Sequence, residues 1–228
     1  MIQIYSSSDS APARLAQRWL QRFDSKTPLF ICVLGFTETG LIPGISAAGA
    51  MPTDRRYTAL ADAEFLVQGV SAQPTYPLPP LQAGASPVLI TKAILSGQQI
   101  RATLFNAGLP APPSVPMIDL GGSPARCLSQ AKALDLLMAH QLFKQGLAWG
   151  EKLAAEGQYL VLSECVVGGT TTALALLMGL GWAADGKVNS SHPTCNHQQK
   201  RDLVEAGLGR LSGLPTLHPL ELWAALGD

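Results

Sequence analysis

The stretch from Tyr159 to Ala184 limits the possible folds of this chain more than any other. Tyr159-Leu160-Val161-Leu162-Ser163 is a short apolar run rich in β-formers and predicts a buried strand. Glu164 follows, then Gly168-Gly169, three consecutive threonines (Thr170, Thr171, Thr172) and an apolar helix to Leu180. From Cys165 to Ala184 the chain carries no charge over twenty residues, about the length that spans a bilayer. Glycines and threonines fill the first half of that window, so the helix is expected in a protein core and not in a membrane.

The other segments alternate in the same manner. Strand-like runs are Pro28 to Leu34, closed by Gly35, then Ile100 to Phe105 and Met117 to Leu120. Helices are predicted at Thr58 to Val67 (closed by Gly69), Val88 to Ser96 (opened by Pro87), Asn196 to Gly207 and Pro219 to Leu226. Ser129 to Glu156 is the longest helical stretch, with Gly146 or Gly150 as its expected break. Two proline-rich loops interrupt the pattern, at 70–87 and 110–116, and the first is long enough to act as a surface flap. Short apolar strands alternating with helices predict an α/β fold: a mainly parallel Rossmann-like sheet with helices on both faces and additional peripheral helices. The expectation is a single α/β domain over 1–228, the first proline loop being where an N-terminal subdomain, 1–80, would divide off.

Composition removes several function classes. Lys+Arg and Asp+Glu stand at 16 each, 14% of the 228 residues are charged and 47% are hydrophobic. Disorder needs the reverse balance, and a polyanion or anionic membrane partner needs a basic excess. Neither nucleic acid nor membrane is therefore expected as a partner. Met1 to Ser10 lacks the pattern of a secretory signal, and Cys32, Cys127, Cys165 and Cys195 form no CxxC pair. Both features predict a cytoplasmic protein with reduced thiols.

The strand–glycine–threonine–helix junction carries the chemistry. Unpaired amides and the dipole at a helix N-terminus favour an anion, glycines let backbone approach a phosphate, and threonine hydroxyls donate to its oxygens. The same spacing also suits a plain Gly-Gly turn with a threonine cap. The loop lacks the lysine of a P-loop and the G-x-G-x-x-G pattern, so it supports a phosphate site of another kind. Glu164, at the end of the strand, either holds a ribose diol or braces the loop.

These residues resemble the nicotinate-nucleotide:dimethylbenzimidazole phosphoribosyltransferases of cobalamin (cobamide) synthesis, in the branch found in archaea and cyanobacteria. The likeness rests on Glu164 with Gly168-Gly169-Thr170-Thr171-Thr172 and on Asp185-Gly186-Lys187-Val188-Asn189-Ser190-Ser191. It extends upstream to Gly35–Thr39, Pro43–Gly49, Tyr57–Glu64 and Ile118-Asp119-Leu120-Gly121. The resemblance implies a homodimeric transferase that moves phosphoribose from nicotinate mononucleotide to an azole or purine base, with no cofactor. Gly168, Gly169, Thr170, Thr171 and Thr172 would then hold phosphate, and Glu164 would act at the ribose. Glu38, Ser46, Asp119, Gly121 and Ser190 would line the substrate. Family members are longer, and their general-base glutamate lies in a C-terminal part with no equivalent in 207–228. The alternative is accordingly a nucleotide-binding or regulatory module of the same fold that lacks turnover.

Other residues admit simpler readings. His192, Cys195 and His197 could suggest a metal, but structural zinc takes four paired ligands, and a loop entering a helix explains them; no metal is expected. Cys165 is either a favoured thiolate near a helix N-terminus or a buried structural thiol. Glu38 suits base recognition or a solvated loop. Asp119 suits a turn cap or a ribose contact.

Overall fold

The structure is a computed structural model that describes residues 10–24, 26–79, 86–156, 159–192, 194–213 and 217–228. Helix α1 (Ala11–Phe23) is followed by β1 (Leu29–Leu34), α2 (Thr58–Gln68), α3 (Pro87–Gly97), β2 (Ala102–Asn106) and β3 (Ile118–Asp119). Then come α4 (Leu136–Ala154), β4 (Leu160–Cys165), α5 (Gly169–Gly179), α6 (His197–Leu211) and α7 (Pro219–Leu226). The four strands form one all-parallel sheet in the order β3-β2-β1-β4. The expected α/β class with a parallel, Rossmann-like sheet is what the chain adopts.

Register assigns each strand residue to a face. Ile31 pairs with Leu162 and Val33 with both Phe105 and Glu164, so these side chains share one face. Helix α4 covers part of it, packing Met138, Leu142 and Trp149 on Ile31 and Phe105. On the other face Cys32, Leu34 and Leu104 meet Leu60, Ala63 and Leu66 of α2 and Val88 and Leu95 of α3. Helices α5, α6 and α7 form a separate cluster around Leu128, Leu174, Val204 and Leu226. From β1 the chain first builds outward through β2 and β3, then crosses back to add β4 on β1's other side. The reversal leaves a crevice between the carboxyl ends of β1 and β4, where α/β folds place their ligands.

Two strand-end loops meet in that crevice, backbone to backbone. The 3-10 turn Glu38–Leu41 follows β1, and Val166 to Gly168 joins β4 to α5. A β-carbon on Gly40 would lie 2.3 Å from the Val167 carbonyl oxygen, and one on Gly168 would lie 2.8 Å from the Gly40 nitrogen. Gly168 also sits at φ +96°, in the left-handed region. Arg55 fixes the continuation of the first loop. Its buried guanidinium donates to the carbonyls of Ala48 (2.7 Å), Gly40 (3.0 Å), Ile42 (2.9 Å) and Ser46. The proline loops are pinned as well. Glu64 accepts from Thr75 N (2.7 Å), Tyr76 N (3.0 Å) and Ser114 Oγ (2.5 Å), and Tyr76 Oη donates to the Pro112 carbonyl. The described part of the first loop is thus tied down where a flap was expected; residues 80–85 lie outside the described residues.

Four expectations change. Helix α1 was not foreseen; Ser10 caps it, and Trp19 and Phe23 pack on Tyr159. The longest helix begins at Leu136, after a 3-10 turn (Leu128–Gln130) and a left-handed Ala131. Neither Gly146 nor Gly150 breaks it: a glycine in a helix interior costs about 1 kcal/mol, too little to stop a helix held by packing. Strand β4 forms as expected but is not buried, with Leu160, Val161 and Leu162 exposed along the open edge.

The loop contact and the helix glycines make opposite predictions. Gly40→Ala forces the crossing loops apart and is expected to lower unfolding free energy by about 2–3 kcal/mol. Gly146→Ala, with nothing within 4 Å of the new methyl, is expected to raise it by about 0.5–1 kcal/mol. Urea unfolding of the two variants beside the parent chain checks both signs.

Candidate functional site

A cavity of about 420 Å³ opens at the carboxyl ends of β1, β2 and β4, lined among others by Gly35, Phe36, Ser123, Leu162, Glu164 and Asp228. That volume suits a small-molecule ligand. Parallel pairing puts Glu164 on the α4 side of the sheet, opposite Val33, with its carboxylate at the start of α5. A methyl on Gly169 would lie 3.1 Å from Glu164 Oε1, so the glycine leaves room for the carboxylate there.

The threonines divide their roles. Thr170 is exposed at the first turn of α5, whereas Thr171 and Thr172 are buried. Thr172 Oγ1 lies 2.9 Å from the Gly169 carbonyl and 2.6 Å from Asp228 Oδ2. The Gly169 amide donates to the Val166 carbonyl at 3.1 Å and the Thr171 amide to the Gly168 carbonyl at 2.8 Å. Among the described residues, the amides of Gly168 and Thr170 have no such acceptor. The side of the junction that can receive an anion is therefore Gly168 and Thr170.

A lysine reaches this point from 30 residues away in sequence. Lys200, on α6, has 0% of its surface exposed, and its ammonium donates to Thr170 Oγ1 at 2.7 Å and to the Asn189 carbonyl at 2.6 Å. Burial lowers its pKa from the usual lysine range. Ion pairs among the described residues are Arg126–Asp135 and Arg201–Asp185, so Lys200 has no carboxylate counter-charge. A buried cation of this kind is stabilised by an anion, and its nearest hydroxyl marks where one would sit. The junction was expected to lack a P-loop lysine, which is correct for its sequence, but the fold supplies one from α6. Its sequence signal was the inward stripe Lys200, Val204, Gly207, in which a lysine takes a core position.

The remaining candidates separate into groups. Ser46 Oγ lies 3.2 Å from Ser191 Oγ, which also accepts the Ala47 amide at 2.8 Å. Asn196 Nδ2 donates to the Gly44 carbonyl (2.8 Å) and Gln199 Nε2 to the Pro43 carbonyl (2.7 Å). The Pro43–Ala48 loop thus lies on the segment leading into Lys200, which brings Ser46 close to Ser190 and Ser191. Ser190 Oγ itself accepts the His192 amide. Asp119 Oδ1 accepts the Gly121 amide at 2.9 Å and lies 3.5 Å from Asn106 Nδ2, bracing the turn after β3. Glu38 is exposed at the head of its 3-10 turn, its amide bound to the Ala125 carbonyl. Of the predicted site residues Glu164 lines the cavity; Gly168, Gly169, Thr170, Thr171, Thr172, Glu38, Ser46, Asp119, Gly121 and Ser190 are not part of its wall, and neither is Lys200.

Cys165 and Cys195 each have a side-chain neighbour. Cys165 Sγ donates to Asp62 Oδ2 at 3.4 Å, and burial pushes its pKa well up, so it is a thiol. Cys195 Sγ lies 3.5 Å from His197 Nδ1, and among the described residues no three His, Cys, Asp or Glu side chains form a metal-binding group. No helix of the described residues is long and apolar enough to cross a membrane. Asp228, not foreseen from sequence, is the second carboxylate of the cavity. Burial pushes its carboxyl up to about 6; the Thr172 hydroxyl opposes that rise and the Glu164 charge adds to it.

The chain is 65% identical over 94% of its length to a UPF0284 protein of Cyanothece sp. and 60% identical over its whole length to one of Microcystis aeruginosa. It spans 58% and 61% of those two proteins, about three-fifths of the curated relatives it matches. Among solved structures it is similar to CobT of Thermus thermophilus, with a TM-score of 0.62 and 19% identity over 96% of this chain and 63% of that one. A second structure from that organism, named a nicotinate-nucleotide-dimethylbenzimidazole phosphoribosyltransferase, gives a TM-score of 0.60 at 19% identity. No family model matches the chain. The resemblance read from Glu164, the glycine–threonine junction and the upstream blocks thus holds, in sequence with the cyanobacterial relatives and in fold with the phosphoribosyltransferases.

The raised Asp228 carboxyl gives stability a definite pH dependence. Because the folded state binds this proton more tightly than the unfolded one, its contribution is full below the unfolded carboxyl pKa and is lost as pH rises through about 6. Asp228→Asn is expected to remove a loss of about 2 kcal/mol between roughly pH 4 and pH 7. Urea midpoints of chain and variant at the two pH values read it.

Proposed function

We propose that this span binds nicotinate mononucleotide for phosphoribosyl transfer to an azole or purine base, the reaction completed within the longer protein of its relatives. The observation that carries the reading is the Lys200 ammonium, without a carboxylate partner, on Thr170 at the head of α5, the helix whose first residue, Gly169, adjoins the Glu164 carboxylate of the crevice. Phosphate would take its hydrogen bonds from Lys200 Nζ, Thr170 Oγ1 and the amides of Gly168 and Thr170. Thr171, Thr172 and Gly169 would hold the junction in shape behind it. Ser46 and Ser190 would bound the same side, with Glu38, Asp119 and Gly121 farther round the carboxyl ends of the strands.

Glu164 would accept hydrogen bonds from the ribose hydroxyls. In the transfer the bond from ribose C1′ to the pyridinium nitrogen breaks, and its electron pair stays on the ring nitrogen of the departing nicotinate anion, whose pyridine ring is then uncharged. The lone pair of the incoming base nitrogen forms the new bond to C1′ from the opposite side, and the base then gives up its N–H proton. Positive charge gathers on the ribose ring at the transition state, where a nearby carboxylate lowers the barrier. The proton needs an acceptor within hydrogen-bond reach. Glu164 is used by ribose and Asp228 is buried against Thr172, so the acceptor is assigned to the two-fifths of the relatives that this chain does not span. Binding is then the task of this chain, and turnover that of the complete protein in the cytoplasm, as a homodimer.

Calorimetry with nicotinate mononucleotide tests the pocket. Lys200→Met is expected to weaken binding about 10–100-fold, the worth of a charge-assisted hydrogen bond. Glu164→Gln is expected to weaken it less and to reduce nicotinate release wherever turnover is present. Arg201→Met, which removes a cation already paired with Asp185, is expected to leave affinity within about twofold. Absence of binding at millimolar nucleotide, or unchanged affinity in Lys200→Met, would refute the reading.

A further inference from the structure

Helix α1 works against its own electrostatics. Arg14, Arg18 and Arg22 recur every fourth residue, so they stand one above another on a single exposed face. Like charges at that spacing repel, and Arg14 near the N-terminus opposes the helix dipole. No acidic residue lies within Ala11–Phe23 to offset them. Lys26 follows, so 14–26 holds four of the chain's 16 Lys and Arg residues, with Asp24 as its one acid. Among the described residues the ion pairs involve Arg126 and Arg201 and neither Arg18 nor Arg22. Beside this stripe the helix shows apolar surface: Leu15 is 60% and Trp19 53% exposed, each next to an arginine in sequence. The rest of the apolar side is docked. Ala13 is buried, and the rings of Phe23 and Trp19 meet Tyr159 with centroids at 5.1 Å and 5.8 Å. Arg22 and Lys26 lie over the Phe23 ring at 5.4 Å and 5.9 Å, so cations border the apolar edge along its length.

We propose that the exposed side of α1 is a binding surface for an anionic lipid bilayer, on which the helix lies flat with Leu15 and Trp19 at the boundary of headgroups and acyl chains and Arg18 and Arg22 on headgroup phosphates. Charge and shape select this occupant. A nucleic acid or an acidic peptide answers the arginines but gives Leu15 and Trp19 no apolar partner, and an apolar protein face leaves the arginines without anions. The headgroup layer offers both, and Trp and Leu beside arginines is the composition of helices that lie in it. At 13 residues, about 20 Å, α1 is too short to span a bilayer but long enough to rest on one. The neutral total charge, which speaks against a membrane partner, governs only long range; within a Debye length of about 8–10 Å a surface meets the charges of α1 alone. The position of α1 is compatible with the site as well. It docks on Tyr159, just before β4, at the amino ends of the strands, whereas the cavity opens at their carboxyl ends, about 20 Å away. A bilayer against α1 thus leaves the crevice open to soluble ligands.

The test is cosedimentation of the chain with sucrose-loaded vesicles of phosphatidylcholine, alone or with about 30 mol% phosphatidylglycerol. Binding is expected on the anionic vesicles, weaker by at least about tenfold without phosphatidylglycerol or in about 0.5 M salt. The double variant Arg18→Glu, Arg22→Glu, at exposed positions, should keep the parent's circular dichroism and bind at least about tenfold more weakly. Arg101→Glu, exposed outside α1, should stay within about twofold of the parent. Brominated acyl chains should quench part of the tryptophan fluorescence, and Trp19→Phe should remove that part. Absence of binding to anionic vesicles, equal binding by the double variant, or quenching that persists in Trp19→Phe would each overturn the proposal. So would binding to double-stranded DNA or polyglutamate at least about tenfold tighter than to vesicles, which would assign the stripe to a polyanion. Nucleotide affinity of the double variant is read separately and is expected within about twofold of the parent's, since α1 adds nothing to the crevice.

Discussion

The contact between Gly40 and Gly168 is the constraint on which the site depends. The loops after β1 and β4 leave the sheet on either side of the reversal in strand order, and they must pass one another for α5 to start where it does. They pass with their backbones touching, since a β-carbon at Gly40 would lie 2.3 Å from the Val167 carbonyl oxygen. This closeness sets the entry angle of α5, and hence the places of Thr170 and of the Glu164 carboxylate beside Gly169. The loop after β1 is held from its far side by Arg55, whose donors take carbonyls from Gly40 to Ala48. A cation that binds main-chain carbonyls organises a loop without using an acidic side chain, which fits a chain in which 14% of residues are charged.

The same economy of charge explains how a neutral chain can present an anion site. Arg55 and Lys200 are both buried, and both are solvated by neutral oxygens instead of carboxylates. Each keeps its full positive field, which a carboxylate partner would have cancelled. The Lys200 field acts at the head of α5, where the helix dipole has the same sign. Asp228 adds little negative charge nearby below about pH 6, since burial holds its carboxyl protonated there. Net charge of zero therefore excludes a long-range pull on polyanions and says nothing about a single phosphate at this point.

Local pattern made most of the fold legible and little of the long-range assembly. The Pro87 opening of α3, the Gly69 cap of α2 and the limits of α7 follow from residues next to one another in sequence, and the structure places them within a residue or two. The strand–glycine–threonine junction was legible for the same reason. What failed depends on distant partners. Lys200 and Arg201 are neighbours in sequence, and only the docking of α6 turns the lysine toward Thr170 and the arginine toward Asp185. The three threonines look equivalent in sequence, and only the packing of α5 separates exposed Thr170 from buried Thr171 and Thr172. Asp228 gave no local signal, because its role comes from α7 closing against α5. Helix α1 was missed although its signal is local, since Ser10 caps it and Ala, Leu, Arg and Gln favour a helix; its docking on Tyr159 adds the packing.

Strand β4 is the reverse case, in which the sequence describes a more buried environment than the isolated span provides. The apolar run predicts a buried strand, and among the described residues only the edge toward β1 is paired. That strand runs directly into Glu164 and the start of α5, so among the described residues the exposed edge of the sheet adjoins the crevice. Glu164 therefore faces the crevice from an exposed strand, while Asp228 on the opposite wall is held by Thr172, so the two carboxylates of one cavity stand in different surroundings.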